Sequence, residues 1–136
     1  MEACVLDTSI IIEIFDKGNE KLLEHILQKY KKVYIPWLVL YEYLYGHKYL
    51  GRDVVQRKQG LEKLGVIKWL TQDIILKTLE IDIELRKKGL SVPFSDIVIA
   101  ATAIMLQAEI ITLDKKHYER IPELMLYIPD KKLITS

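Results

Sequence analysis

Ala3-Cys4-Val5-Leu6-Asp7-Thr8-Ser9-Ile10-Ile11-Ile12, residues 3–12, is the stretch on which the fold turns. A short apolar run, Ala3 to Leu6, stops at an acid, as a buried strand does when it reaches a rim. Apolar residues resume at once from Thr8 to Phe15, so the chain passes into a helix without a linker. Strand, acid and helix in immediate succession predict one unit of an α/β fold.

Outward from there the same alternation continues. Asn19 is a good N-cap, and Leu22, Leu23, Ile26, Leu27 and Tyr30 then follow with helical spacing. Lys32 to Ile35 reads as a second strand, and Pro36 opens a helix reaching about Tyr49. Gly51 and Asp53 punctuate the chain before a helix that ends near Gly65; Val66 to Trp69 reads as a third strand. Asp73 to Lys88 places Ile75, Leu76, Leu79 and Ile83 on one helical face and stops at Gly89. After Pro93 the spacing predicts a helix from Asp96 to Gln107, a strand from Glu109 to Leu113, a short helix from Asp114 and a last strand near Leu124 to Ile128. Strands alternating with helices imply a largely parallel sheet covered on both faces, in three layers. Neither a repeat nor a linker divides residues 1–136, so one domain is expected.

Composition narrows the function classes. Net charge is +1, so no overall field recruits nucleic acid and any such binding is local. The lone cysteine, Cys4, forms no internal disulfide, and no apolar run reaches the roughly 18–20 residues that span a bilayer. A cytoplasmic protein without a membrane partner is expected. Cys4 has no evident base beside it, and there is neither a Gly-rich phosphate loop nor a serine elbow. His25, His47 and His117 lack metal-ligand spacing, which favours surface or packing roles.

Four acids remain. Asp7 and Asp114 each directly follow a predicted strand, so both project at the carboxyl rim where function gathers in such sheets. Asp96 follows Pro93-Phe94-Ser95, and Glu42 stands inside Trp37-Leu38-Val39-Leu40-Tyr41-Glu42-Tyr43-Leu44-Tyr45-Gly46. Each aspartate has a competing explanation as a helix N-cap, and Glu42 one as part of a solvated stripe. Gly46 could serve close helix packing or leave room for a substrate backbone. If the four acids meet, each pair at about 5 Å repels by about 3 kcal/mol at an effective dielectric near 20. Such a cluster protonates or binds a cation, and hard oxygen donors favour Mg²⁺ or Mn²⁺. Hydrolysis of a phosphodiester is the chemistry that suits it.

These pieces, in this order, resemble the PIN-domain ribonucleases and especially their VapC-type toxins. The resemblance rests on Val5-Leu6-Asp7-Thr8-Ser9, on Glu42 with Gly46, on Asp96-Ile97-Val98-Ile99-Ala100-Ala101, and on Thr112-Leu113-Asp114-Lys115-Lys116-His117-Tyr118. It implies a PIN-like α/β domain and an endoribonuclease dependent on Mg²⁺ or Mn²⁺. Asp7 and Asp96 would be direct metal ligands, with Glu42 and Asp114 completing the catalytic site. Thr8, Ser9 and Thr112 would support it by bonding carboxylates, or else cap helices. The last motif departs from the family, where many members carry asparagine at the place of Asp114 and an acid at that of His117. The resemblance further implies an RNA substrate, a small antitoxin as partner and a homodimer.

Lys48, Arg52, Arg57, Lys58, Lys115 and Lys116 are candidates for tracking an RNA backbone, set against an ordinary solvated face. Tyr41, Tyr43, Tyr45 and Tyr49 fit core or interface positions better than base stacking. Two rivals stand beside the nuclease. One is an aspartyl phosphotransferase or phosphatase with Asp7 as nucleophile; the other is a non-catalytic PIN-like RNA-binding module whose acids only cap helices.

Overall fold

The computed structural model describes residues 2–134. Five strands form one parallel sheet in the order β3-β2-β1-β4-β5: β1 (Ala3–Leu6), β2 (Lys32–Pro36), β3 (Val66–Lys68), β4 (Glu109–Ile111) and β5 (Leu126–Tyr127). Cys4, Val5 and Leu6 of the central strand are fully buried, as expected of a parallel strand covered on both faces. Helices α1 (Thr8–Ile11), α2 (Glu20–Lys29), α3 (Trp37–Tyr49), α4 (Val55–Leu64), α5 (Gln72–Lys87), α6 (Phe94–Met105) and α7 (Lys115–Tyr118) supply the covering layers. Among the described residues no helix is long and apolar enough to cross a membrane.

Local chemistry sets most boundaries. Asn19 accepts from the Leu22 backbone N–H at 3.0 Å and caps α2. Gly89, at φ 68°, ends α5 in the left-handed conformation, and the Leu90 N–H turns back to the Leu85 carbonyl at 2.9 Å. Helix α1 runs into a π-helical turn, Ile12–Asp16. One helix start shifts, and the buried face of α5 becomes visible. Helix α6 starts at Phe94 rather than Asp96, because Pro93 already occupies its N-cap with φ near −55°. In α5 the stripe of Ile75, Leu76, Leu79 and Ile83 faces outward, each 45–65% exposed, while Ile74, Thr78, Ile81 and Leu85 are buried. That helix has two apolar stripes, and periodicity alone does not say which one the core takes.

Strands β1 and β4 pair in parallel, with Leu6 opposite Ile111, and the Asp7 N–H continues the ladder to the Ile111 carbonyl at 3.1 Å. The connections run from β1 to β2 on one side and return to β4 on the other. The switch point therefore lies between β1 and β4, and the carboxyl ends of those strands are Asp7 and Thr112.

Candidate active site

Asp7 occupies the N-cap position of α1 without a side-chain cap bond. Its carboxylate is engaged elsewhere: Oδ2 accepts from Thr112 Oγ1 at 2.6 Å and from Ser9 Oγ at 3.0 Å, and Oδ1 from the Tyr118 hydroxyl at 3.2 Å. Asp7 is only 7% exposed, and these three donors replace the water it gives up. Asp96 lies in the first turn of α6, past the cap, so capping does not explain it either. The Tyr118 hydroxyl stands 3.4 Å from Asp96 Oδ1 and thus spans the two aspartates. Asp114 does cap α7, accepting from the His117 N–H at 3.3 Å, and its other oxygen lies 2.9 Å from His117 Nδ1. His117 Nδ1 is also 3.4 Å from Asp96 Oδ2. Glu42, on α3, accepts from Thr8 Oγ1 at 3.0 Å.

Thr8, Ser9 and Thr112 therefore all bond carboxylates. Ser9 Oγ and Thr112 Oγ1 also accept backbone N–H groups of Leu113 and Asp114, at 3.1 and 2.9 Å, which ties the chain after β4 to the start of α1.

Electrostatics show the strain of this gathering. Burial first, then the Asp7 and Asp114 carboxylates, push Asp96 up to about 6 despite the opposing pull of His117; Glu42 adds to the rise. Burial, then the charges of Asp7 and Asp96, push the Tyr118 phenol far above its ordinary value, so it remains a hydrogen-bond donor. Among the described residues the ion pairs of this cluster come from His117, and no lysine or arginine reaches Asp7, Glu42, Asp96 or Asp114 within 4 Å. Asp96, Asp114 and His117 each offer a ligand atom, all within 4.8 Å of one another. Crowded carboxylates with one imidazole fit a divalent cation as donor set. Asp7 adjoins that trio through Tyr118.

Two of these residues escaped the sequence reading. His117, assigned to packing or surface, stands between Asp96 and Asp114. Tyr118 was visible only as the end of a motif; its place three and four residues after Asp114 on a short helix is the signal that could have marked both. Cys4 stays out of the chemistry, since burial and Glu109 push its thiol up to about 12.

The basic candidates separate. Lys115 and Lys116 are exposed beside Asp114, and Arg52 shares a pocket with Glu42 and Thr8. Lys48 instead lines an apolar hollow with Trp37, Tyr41, Tyr45 and Trp69. Arg57 donates to the Asp53 carbonyl at 2.7 Å, and Lys58 pairs with Glu62 at 2.8 Å. Tyr43 is buried, whereas Tyr41, Tyr45 and Tyr49 form an exposed row at successive turns of α3.

A sequence model described as the PIN domain matches residues 4–124. A VapC ribonuclease of Pyrococcus furiosus is 30% identical over 113 residues, covering 83% of this chain and 75% of the relative. A ribonuclease VapC of Rickettsia bellii is 33% identical over 135 residues, covering 93% of this chain and 97% of the relative. Among solved structures, a VapBC2 assembly of Rickettsia felis bound to a promoter DNA fragment superposes with TM-score 0.80 at 25% identity, over 94% of this chain and 99% of that one.

Proposed function

This chain belongs to the PIN-domain family, and from that premise we propose that it is a divalent-metal-dependent endoribonuclease, the toxin of a toxin–antitoxin pair, with residues 1–136 forming one nuclease domain. The observation that carries the reading is the convergence of Asp7, Asp96 and Asp114, with Glu42 beside them, at the switch-point rim, where among the described residues no lysine or arginine lies within 4 Å of their carboxylates.

In this reading Asp96, Asp114 and His117 hold a Mg²⁺ or Mn²⁺ ion, with Asp7 adjoining. The ion supplies charge neutralisation at the scissile phosphate and makes water more acidic there. Tyr118 keeps Asp7 and Asp96 in register by donating to whichever oxygen needs the proton. Thr112 and Ser9 fix the Asp7 carboxylate, leaving little freedom for it to act as a covalent nucleophile. In the same reading Glu42, which accepts from Thr8, takes a proton from the attacking water. Lys115, Lys116 and Arg52 supply the local cations that a +1 protein needs to hold an RNA backbone.

A small antitoxin and a second copy of the chain are the proposed protein partners. Support comes from large apolar side chains left exposed, Leu76 and Leu79 on α5 together with Trp69, Tyr41 and Tyr45. The cytoplasm, where RNA is met and thiols stay reduced, is the proposed location.

The test is cleavage of a mixed RNA pool by the parent and by Asp96→Asn, with Mg²⁺, Mn²⁺ or EDTA. Cleavage by the parent with metal, and none with EDTA or in the variant, is expected. An intact pool under all conditions, or cleavage indifferent to EDTA, sinks the reading.

A further inference from the structure

Beside the carboxylate cluster, α3 carries a second polar arrangement that the cleavage chemistry leaves unused. Asp16, at the end of the π-helical turn, accepts from the Tyr43 hydroxyl at 2.6 Å and lies 3.1 Å from His47 Nε2. His47 is only 6% exposed, and its other nitrogen, Nδ1, lies 3.2 Å from Arg52 Nη1. A guanidinium only donates, so Nδ1 accepts, and the ring proton on Nε2 goes to Asp16. The result is a directed chain from carboxylate to imidazole to guanidinium. The backbone makes it possible: Gly51, at φ 76°, reverses the chain after α3, and the Arg52 N–H returns to the His47 carbonyl at 3.0 Å.

This chain lines a pocket of about 210 Å³ together with Thr8, Glu42 and Gly46. Thr8 and Glu42 belong to the carboxylate cluster as well, so the two are continuous. Glu42, His47 and Arg52 all line this pocket, so the carboxylate and the guanidinium face one space. Nothing within 4 Å would meet a Cβ at Gly46, so packing does not require the glycine there. In an exposed helix it costs about 1 kcal/mol relative to alanine. It leaves the pocket floor open for a ligand.

A groove built on Asp7, Glu42, Asp96 and Asp114 repels RNA phosphates other than the one the metal neutralises. Arg52 is a cation held beside it on the Glu42 side, with four of its five N–H groups beyond the His47 bond. We infer that Arg52, aimed by Asp16 and His47, holds the backbone phosphate adjoining the scissile one, an inference that rests on the ribonuclease reading. Asp16 and His47 are positioning residues; Arg52 touches the substrate.

The experiment uses a short single-stranded RNA that the parent cuts at one site, with each flanking phosphate replaced in turn by a neutral methylphosphonate. Parent, Arg52→Ala and His47→Gln are compared by KM and kcat, with thermal melts confirming that the variants fold. One flanking methylphosphonate raises the KM of the parent about fivefold to tenfold. Arg52→Ala on unmodified RNA does the same, kcat changes by less than about twofold, and combining variant with modified RNA adds nothing further. His47→Gln moves KM in the same direction and is silent in the Arg52→Ala background. Additive effects of variant and methylphosphonate, or a KM indifferent to both, overturn the subsite while leaving the nuclease standing. A parent that cuts no RNA overturns the nuclease reading and the subsite with it.

Discussion

The two ends of the sheet each set an acid against a tyrosine, and they resolve it in opposite ways. At the amino end, Glu109 of β4 accepts from the Tyr30 hydroxyl, and Lys29 approaches to 3.9 Å while its ammonium lies 3.8 Å from the Tyr127 ring centre. The charge there is answered by the protein itself. At the carboxyl end, Tyr118 bridges Asp7 and Asp96, Asp114 and Glu42 crowd in, and among the described residues His117 is the ion-pair partner within 4 Å. One end is a finished structural contact; the other, in the reading proposed above, takes a cation from outside. What separates a site from a buried acid is the counter-charge the chain withholds.

The largest effect that could break this contrast is on cleavage. Asp96→Asn is expected to lower RNA cleavage at least about a hundredfold, whereas Glu109→Gln stays within about twofold of the parent. Equal losses in the two variants would erase the distinction between the ends.

Next in size is stability against pH without metal. Asp96 is raised to about 6 in the folded chain against 3.8 for the ordinary carboxyl. An acid raised on folding stabilises fully below pH 4 and loses that contribution as pH rises through about 6. Relative to Asp96→Asn, the metal-free parent should therefore lose about 1 kcal/mol between pH 4 and 7, discounted because the group is only half-buried. Melting curves of the two proteins across that range give the difference; parallel curves would contradict it.

The two tyrosines sharpen the comparison further. Tyr118→Phe should cost about 1 kcal/mol in stability and weaken metal binding about tenfold, because Asp7 and Asp96 lose their shared donor. Tyr30→Phe should cost a similar stability with no change in metal binding. Smallest of all, Glu109→Gln should shift stability by less than about 1 kcal/mol, since half-exposed Lys29 is a weak partner to lose.

Much of this contrast could be read from the chain. Leu6-Asp7 and Thr112-Leu113-Asp114 ended apolar strands, and parallel pairing of β1 with β4 was enough to bring those acids together. Helix capping explained the aspartates equally well from sequence, because only geometry shows that Asp7 makes no side-chain cap bond while Asp114 caps α7. His117 and Tyr118 were illegible for a different reason: their roles depend on α6 delivering Asp96 from 22 residues away, which no local spacing encodes. The sequence placed Ile75, Leu76, Leu79 and Ile83 on one face of α5 but did not tell that face from the buried one, because an exposed apolar stripe has the same periodicity as a core stripe.

The most direct measurement is calorimetric titration of Mn²⁺ into metal-free parent, Asp96→Asn and Glu109→Gln at pH 7.5. Binding shared by parent and Glu109→Gln, and weakened at least about tenfold in Asp96→Asn, is the expected result. Mn²⁺ binding of equal strength in all three proteins, or in none, would contradict the claim that the carboxyl end of the sheet is built short of one dication.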